Sequence, residues 1–357
     1  MGKFGVGLDI GTTTIQAQLV NLEKSEILDT FSAFNEQRKF GADVMSRISA
    51  AQNGRLEDLY SAVNKQTENI LQGFIKKHSI ASIAKCIVSG NTTMLHLFCR
   101  TDPSSMGATP YTPAFLQERH FKGSELSLSA DNITLLPGVS AFIGSDVTAG
   151  LALIDITGKG EDALFADIGT NGEIAVWKES EKKLLCCSAA AGPCFEESEI
   201  SCGLNAADFI DVMAKMKRNN IIDETGAVIG ESSVITQRDV RQFQLAKSAI
   251  LSGIKMICKT AAVDLANLGT VYIAGGLGFY LNLESAAEIG LLPKEFTGKQ
   301  SGVKTEVCGN TSLKGAVKCL TDSEFLLRCR NIISCAETID LANDKYFSAA
   351  FEHNMHF

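Results

Sequence analysis

The strongest constraint on this chain is that it repeats itself. Residues 4–14 read FGVGLDIGTTT and residues 164–173 read LFADIGTNGE, each a short apolar run ending in Asp-Ile-Gly-Thr. A second apolar run follows each, at 15–22 and at 173–177. The two copies lie about one domain length apart. A further pair is GSDVTAGLAL at 144–153 and GNTSLKGAV at 309–317. In both, one glycine opens a helix and a second follows (Gly144 and Gly150, Gly309 and Gly315). Between these markers, residues 86–89 run into Gly90-Asn91-Thr92-Thr93, and residues 271–274 run into Gly275-Gly276-Leu277-Gly278. Each half therefore reads as hairpin strands, helix, strand, helix, strand, closing helix. That alternation predicts an α/β fold with a mostly parallel sheet in each half and helices on its faces. The two halves are expected to face each other across a cleft.

Periodicity fills in the elements. Leu59, Val63, Ile70, Leu71 and Phe74 share one side of a helix over 56–77. Thr236 or Asp239 caps a helix carrying Val240, Phe243, Ala246, Ile250 and Ile254. Apolar strands near 133–143 and 303–308 lead into the closing helices. Tyr346, Phe347, Phe351 and Phe357 give residues 340–357 an aromatic face that packs on one of the halves. The expected division is a first lobe over 1–155, with insertions near 35–60 and 99–131, a second lobe over 156–320, and a C-terminal segment over 321–357 packing back on a lobe.

Composition removes several classes. With 33 Lys and Arg against 41 Asp and Glu the net charge is −8, which argues against a nucleic-acid or anionic-membrane partner. Hydrophobic residues make up 45%, enough for large cores. No apolar run approaches the roughly 18 residues of a membrane span. The N-terminus lacks a signal-peptide pattern, and Val6 stands where a myristoylation motif has Ser or Thr. A cytoplasmic protein is expected. The 11 cysteines are scattered, without a C-x-x-C pair. Cys186, Cys187, Cys194 and Cys202 form the one local group, and their irregular spacing reads as reduced, buried thiols rather than a cluster site. His78, His96, His120, His353 and His356 are dispersed and read as structural or surface residues.

The repeated turn carries chemistry. A strand delivers a carboxylate (Asp9, Asp167), glycine lets the backbone turn (Gly11, Gly169), and hydroxyl or amide residues follow (Thr12, Thr13, Thr14; Thr170, Asn171, Gly172). N–H groups and hydroxyls there can cradle phosphate oxygens, and the carboxylates can hold the shell of a Mg²⁺ ion. One copy alone reads equally as a hairpin turn; two copies point to a nucleotide triphosphate. The chain has neither a dinucleotide G-x-G-x-x-G loop at its first strand nor a G-x-x-x-x-G-K-[ST] loop. Asp146, in Gly144-Ser145-Asp146, is either a helix cap or a carboxylate that orients an attacking water, with Glu173 the second candidate. The small residues Ala149-Gly150 and Gly315-Ala316 let two closing helices approach, either as core packing or as a hinge.

Two D-I-G-T turns with an A-G-G turn resemble the superfamily of actin, Hsp70 and the sugar kinases. Residues 35–48 (NEQRKFGADVMSRI), Gly90-Asn91-Thr92-Thr93-Met94, Pro110-Tyr111-Thr112-Pro113, Ala189-Ala190-Ala191-Gly192-Pro193, Ile289-Gly290-Leu291-Leu292-Pro293 and Gly309-Asn310-Thr311-Ser312-Leu313 narrow this. They resemble the ATP-dependent reductive activators of corrinoid proteins, over nearly all of residues 3–357. The resemblance implies a duplicated actin-like, ribonuclease H-like ATPase fold with two lobes around a nucleotide cleft. Two features depart from it. Typical members begin with a ferredoxin-like domain, whereas this chain starts at the ATPase strand, so no iron–sulfur cluster is expected on it. The segment after Glu197 is also shorter than in the family.

By this resemblance, Asp9 and Asp167 are Mg²⁺-shell carboxylates, Gly11, Thr12, Thr13, Gly169, Thr170 and Asn171 contact phosphate, and Gly275, Gly276 and Gly278 flank adenosine. Gln244 and Lys247 resemble the superfamily's adenosine-contacting pair, with a solvated helix face as the alternative. The implied function is an ATPase that supports reductive reactivation of a corrinoid protein, with a separate electron donor. A small-molecule kinase on the same fold and a non-catalytic nucleotide-dependent scaffold stay open, as does a homodimer.

Overall fold

The computed structural model describes residues 3–195, 203–230, 235–276, 281–299, 301–341 and 344–357. In chain order the strands and helices used below are β1 (Phe4–Ile10), β2 (Thr14–Asn21), β3 (Glu26–Phe34), α1 (Val44–Ala50), α2 (Leu56–His78), β4 (Lys85–Gly90), α3 (Thr92–Phe98), β5 (Arg119–Lys122), α4 (Gly123–Leu126), β6 (Asn132–Leu135) and α5 (Ser145–Ile154). Then come β7 (Ala163–Ile168), β8 (Gly172–Lys178), β9 (Lys183–Ala189), α6 (Ala206–Arg218), α7 (Gln237–Thr260), β10 (Thr270–Ala274), α8 (Leu283–Glu288) and β11 (Lys304–Gly309). The chain ends with α9 (Thr311–Thr321), α10 (Phe325–Cys335), β12 (Ala336–Thr338) and α11 (Lys345–Asn354).

The chain divides into two compact units. One comprises residues 1–155 and 311–334; the other comprises 156–310 and 335–357. In the first, the sheet order is β3-β2-β1-β4-β6-β5. β1, β2 and β3 form an antiparallel meander, β1 pairs parallel with β4 and β4 with β6, and β5 returns antiparallel. In the second, the order is β11-β10-β7-β8-β9-β12, with β7, β8 and β9 antiparallel and β7, β10 and β11 parallel. The repeat seen in the sequence is thus a repeat of topology. Each unit builds a three-strand meander and then adds two strands parallel to its first.

Both sheets are mixed: antiparallel pairings outnumber parallel ones in the first, whereas the second is mostly parallel, as the alternation suggested, apart from the β7–β8–β9 meander. The cause is local: the chain reverses within a few residues after Ile10 and after Ile168, and only an antiparallel neighbour accepts so short a connection. The third strands, β3 and β9, were not legible; β3 carries an exposed and half-buried pattern with little apolar alternation. The strand expected near 133–143 ends at Leu135, where Pro137 and Gly138 stop the ladder.

Central strands are buried on both faces, so β1 and β7 read as near-continuous apolar runs. In the first unit, Val6, Leu8 and Ile10 meet Leu59, Val63, Leu71 and Phe74 of α2. In the second, Leu164, Ala166 and Ile168 share a core with Phe243, Ile250, Ile254 and Ile257 of α7. Burying each such side chain contributes about 1.5–3 kcal/mol. α7 begins at Thr236, whose hydroxyl accepts from the Asp239 N–H while the Asp239 carboxylate accepts from the Thr236 N–H, a reciprocal cap.

Two segments cross between units in the chain. α9, expected in the second lobe, packs beside α5 and against β1 and β4 in the first. A Cβ on Gly315 of α9 would lie 2.7 Å from Ala149 Cβ and 2.9 Å from Ala149 O, so α5 and α9 approach as closely as glycine permits. The expected approach of two small-residue helices is therefore present, inside one unit. The C-terminal segment is also split. α10 joins the first unit, with Phe325, Cys329 and Ile332 buried, while β12 pairs with β9 and α11 packs on α7 in the second. Phe347, Phe351 and Phe357 pack on that core, whereas Tyr346 is exposed.

Candidate functional site

In the first unit, three elements bring polar groups to the C-terminal end of β1. Asp9 stands in register with Gln16 of β2 and Ser89 of β4. Its Oδ1 accepts a hydrogen bond from Ser312 Oγ at 2.7 Å, and Ser312 Oγ also lies 2.9 Å from Ser89 Oγ. Ser312 belongs to the first turn of α9. It reaches Asp9 only because that helix returns to this unit. Asp146 sits in the first turn of α5, where the Val147 N–H donates to its Oδ1 at 2.9 Å. Burial, and then the charge of Asp9, pushes the Asp146 carboxyl up to about 7. One carboxylate thus lies near another that exchanges its proton around neutrality, the division of labour that acid–base chemistry needs.

The turn after Asp9 is closed by Gly11 N–H donating to Thr14 O at 3.0 Å. Thr12 is buried, and its hydroxyl accepts from Asn91 Nδ2 at 2.9 Å. Thr14 opens β2. Asn91 also caps α3, accepting from the Met94 N–H. The strand-to-loop motif at Gly90-Asn91 therefore serves the first turn directly.

In the second unit the equivalent turn also joins two antiparallel strands but is one residue shorter. Gly169 N–H donates to Asn171 O at 3.0 Å, and Ile168 pairs with Gly172 to close the β7–β8 hairpin over Thr170. Asp167 stands opposite Glu173 in register, so the two carboxylates leave the same face of the sheet. Glu173 is buried. Gly275 follows β10 with φ of 97°, a conformation that favours glycine. A Cβ there would lie 2.3 Å from Ile168 O and 2.7 Å from Asp167 Oδ1. The A-G-G turn therefore rests against the second aspartate turn. Gly276 is exposed with open space beside it, and Gly278 lies outside the described residues.

Gln244 and Lys247 differ from both readings of the sequence. They are not on a solvated face, since each is almost wholly buried. Their donors are taken by backbone carbonyls, three of the four from the C-terminal residues. Gln244 Nε2 donates to Thr225 O (2.8 Å) and Met355 O (2.9 Å), and Lys247 Nζ donates to Asn354 O (2.6 Å) and His356 O (2.5 Å). The Lys247 ammonium also lies over the Phe357 ring, which stacks on Phe243. An adenosine contact by either side chain would require these carbonyls to be displaced, so the pair is assigned to anchoring the C-terminal segment.

The other candidates are structural. Cys186, Cys187 and Cys194 are buried, and burial raises all three thiols far above neutrality, two of them to about 12. They are held as thiols, not as metal-binding thiolates. Cys202 lies outside the described residues. His96 is buried between Thr92 O and the Ala114 N–H and stacks on Phe115, which fixes it as a neutral ring. Among the described residues, no group of three or more His, Cys, Asp or Glu side chains converges to hold a metal, and no helix is long and apolar enough to cross a membrane. The oxygen donors beside Asp9 (the Asp146 carboxyl and the Ser312 hydroxyl) are nevertheless hard ligands that suit Mg²⁺ bound chiefly by phosphate and water.

Sequence reasoning named Asp9, Asp146 and Asp167 but missed what holds them. Ser89, Ser312 and Asn91 were visible only as parts of longer motifs. The side chains behind the first turn, Asn35, Gln37 and Arg47, come from the segment treated as an insertion.

Residues 4–159 match the model described as the RACo middle region, and residues 161–220 and 212–357 match that of the C-terminal domain of RACo, the ASKHA domain. The corrinoid activation enzyme RamQ of Eubacterium limosum is 28% identical over 99% of this chain and 70% of its own. The [Co(II) methylated amine-specific corrinoid protein] reductase of Methanosarcina barkeri is 27% identical over 57% of this chain and 39% of its own. A solved structure, the reductive activator for corrinoid, iron–sulfur protein, superposes with a TM-score of 0.91 at 29% identity, over 99% of this chain and 66% of that one. The chain thus spans between about two fifths and seven tenths of the length of these relatives. With one model matching its first half and the other its second, the chain belongs to the RACo family and carries that family's middle region and ASKHA fold.

Proposed function

We propose that this chain binds and hydrolyses ATP and uses that cycle to support reductive activation of a corrinoid protein, with electrons supplied by a separate donor. The observation that carries the ATPase reading is the proximity of Asp9 and Asp146 beside the Gly11-Thr12-Thr13 turn, with Ser312 bonded to Asp9. The corrinoid reading is supported by the relatives: each of the three just described is named for activating or reducing a corrinoid protein.

In this reading the Asp9 turn and the Asp167 turn each contact phosphate oxygens, through Gly11, Thr12 and Thr13 and through Gly169, Thr170 and Asn171. Gly275 and Gly276 border the nucleoside. Asp9, and in its own unit Asp167, would hold the water shell of a Mg²⁺ ion, which when bound would neutralise charge on the phosphates. Ser312 keeps the Asp9 carboxylate in one orientation. Asp146 accepts a proton from the water that attacks the γ-phosphate, and its carboxyl, titrating near neutrality, is matched to that task. Glu173, opposite Asp167 in register, is the second candidate to position that water. Differential affinity of the nucleotide states for the corrinoid protein supplies the coupling.

The test is phosphate release with and without purified corrinoid protein, following the Co(II) absorption band under a low-potential donor. Asp146→Asn is expected to retain Mg·ATP binding and lose roughly 10²–10⁴ of turnover. Asp9→Ala and Asp167→Ala are expected to weaken Mg·ATP binding. Transfer of phosphate to a sugar or acid, or full turnover in Asp146→Asn, would overturn the reading.

A further inference from the structure

The three carbonyls of the first aspartate turn are all held from behind by one segment. Asn35 Nδ2 donates to Gly11 O at 2.9 Å, Arg47 Nη2 donates to Thr12 O at 2.5 Å, and the Asn35 N–H donates to Thr13 O at 2.7 Å. The holders are themselves fixed. Asn35 caps the short turn Glu36–Lys39 by accepting from the Gln37 N–H, and Gln37 Nε2 donates to Leu59 O of α2 at 2.9 Å. Arg47 projects from α1, whose start is locked by the Asp43–Ser46 capping box. Its Nε donates to Gly41 O at 3.0 Å, and its Nη1 lies 3.4 Å from Gln37 Oε1. Arg47, Gln37 and Asn35 are all but excluded from solvent.

A planar trans peptide points its N–H opposite to its C=O. Drawing Gly11 O and Thr12 O toward residues 35–47 therefore turns the N–H groups of Thr12 and Thr13 the other way. Successive N–H groups turned to one side make a concave anion site. An arginine suits this place and a lysine does not. Its rigid fork reaches Gly41 O, Thr12 O and Gln37 Oε1 from separate nitrogens, and it remains charged when buried.

We propose that Arg47 is a positioning residue for phosphate recognition: it sets the Thr12–Thr13 peptide plane so that the turn presents its N–H groups to a phosphate. This rests on the nucleotide reading of the Asp9 turn. It assigns a function to residues 35–47, which lie outside the repeated core of the fold.

The experiment compares the full chain with Arg47→Lys, measuring melting temperature and the affinities for Mg·ATP, inorganic triphosphate and adenosine. Arg47→Lys is expected to lose roughly ten- to hundredfold in affinity for ATP and triphosphate, the range for a charged hydrogen bond, with adenosine affinity unchanged. A residue that only stabilises the fold would lower the melting temperature and all three affinities together, and that result would overturn the proposal. So would a folded Arg47→Lys chain that binds triphosphate as the parent does. Hydrogen exchange on the unaltered chain gives a second readout that needs no variant: saturating ATP is expected to slow exchange at Thr12 and Thr13. Bound ATP with no change at these amides would overturn the proposal even if Arg47→Lys fails to fold. If the parent chain binds neither ATP nor triphosphate, the nucleotide reading itself fails and the proposal falls with it.

Discussion

Gly315 offers a test in which two known effects oppose each other. Replacing a helix-interior glycine by alanine contributes about 0.8–1 kcal/mol of intrinsic helix stability. At Gly73, in the exposed middle of α2, nothing lies within 4 Å of the added Cβ, so Gly73→Ala collects that gain. At Gly315 the added Cβ would sit 2.7 Å from Ala149 Cβ, 2.9 Å from Ala149 O and 3.1 Å from Ala149 C. Carbon atoms pack at about 3.5–4.0 Å, and two of the three neighbours are backbone, which no rotamer change can move. The helices must separate, and overpacking of this kind costs about 1–3 kcal/mol. Subtracting the propensity gain leaves Gly315→Ala destabilised by up to roughly 2 kcal/mol, against a stabilisation of about 0.8–1 kcal/mol for Gly73→Ala. Urea denaturation followed by circular dichroism reads both. Adding Ala149→Gly to Gly315→Ala removes one of the clashing atoms and is expected to recover part of the loss, as coupled neighbours do. Ser312 lies one turn from Gly315 and holds Asp9, so Gly315→Ala is also expected to weaken nucleotide binding while Gly73→Ala does not. A Gly315→Ala chain stabilised as much as Gly73→Ala would refute the close approach of α5 and α9.

Two further expectations follow from buried titratable groups. Burial, with Lys217 and Lys255 nearby, pushes the Lys247 ammonium down to about 7 from the ordinary 10.5. Between those values the unfolded chain binds more protons than the folded one, so stability rises with pH across that window; Lys247→Met removes this slope, and parallel pH profiles for the two chains would count against it. The thiols of Cys86, Cys186 and Cys258, raised to about 12 by burial, are expected to resist alkylation at pH 8 in the folded chain and to react in urea, as peptide mapping by mass spectrometry would read; rapid labelling of Cys186 in the folded protein would contradict its burial.

What the sequence disclosed was what is encoded locally. A carboxylate, a glycine and hydroxyl residues after an apolar strand are a few adjacent positions, and their recurrence exposed the repeated topology. The cap of α7, the face of α2 and the aromatic packing of the C-terminal residues are likewise short-range patterns. The pairing of β3 was not legible because a strand with exposed faces carries little alternation and is defined by the neighbour it pairs with; β9, buried on both faces over most of its length, has no alternation to read either. Nor could the mixed sheets be read from alternation alone, since strand direction depends on connection length.

Long-range closure was the least visible part, and it governs the chemistry. Ser312 follows Asp9 by almost the whole chain yet donates to its carboxylate, because α9 returns to the first unit. Lys247 and Gln244 had the spacing of a ligand-contacting pair, but spacing on a helix face is blind to what packs on that face; here it is the backbone of Asn354, Met355 and His356. Arg47 is the converse case. A charged residue near the end of a polar segment reads as solvent-exposed, and only the fold reveals that Thr12 O, Gly41 O and Gln37 Oε1 converge on it. Leaving a guanidinium buried without its acceptors costs several kcal/mol, so its burial commits the whole 35–47 segment to one arrangement. The aspartate turn inherits that rigidity, so a change in this segment far from Asp9 in sequence acts on the turn as directly as a change at Thr12.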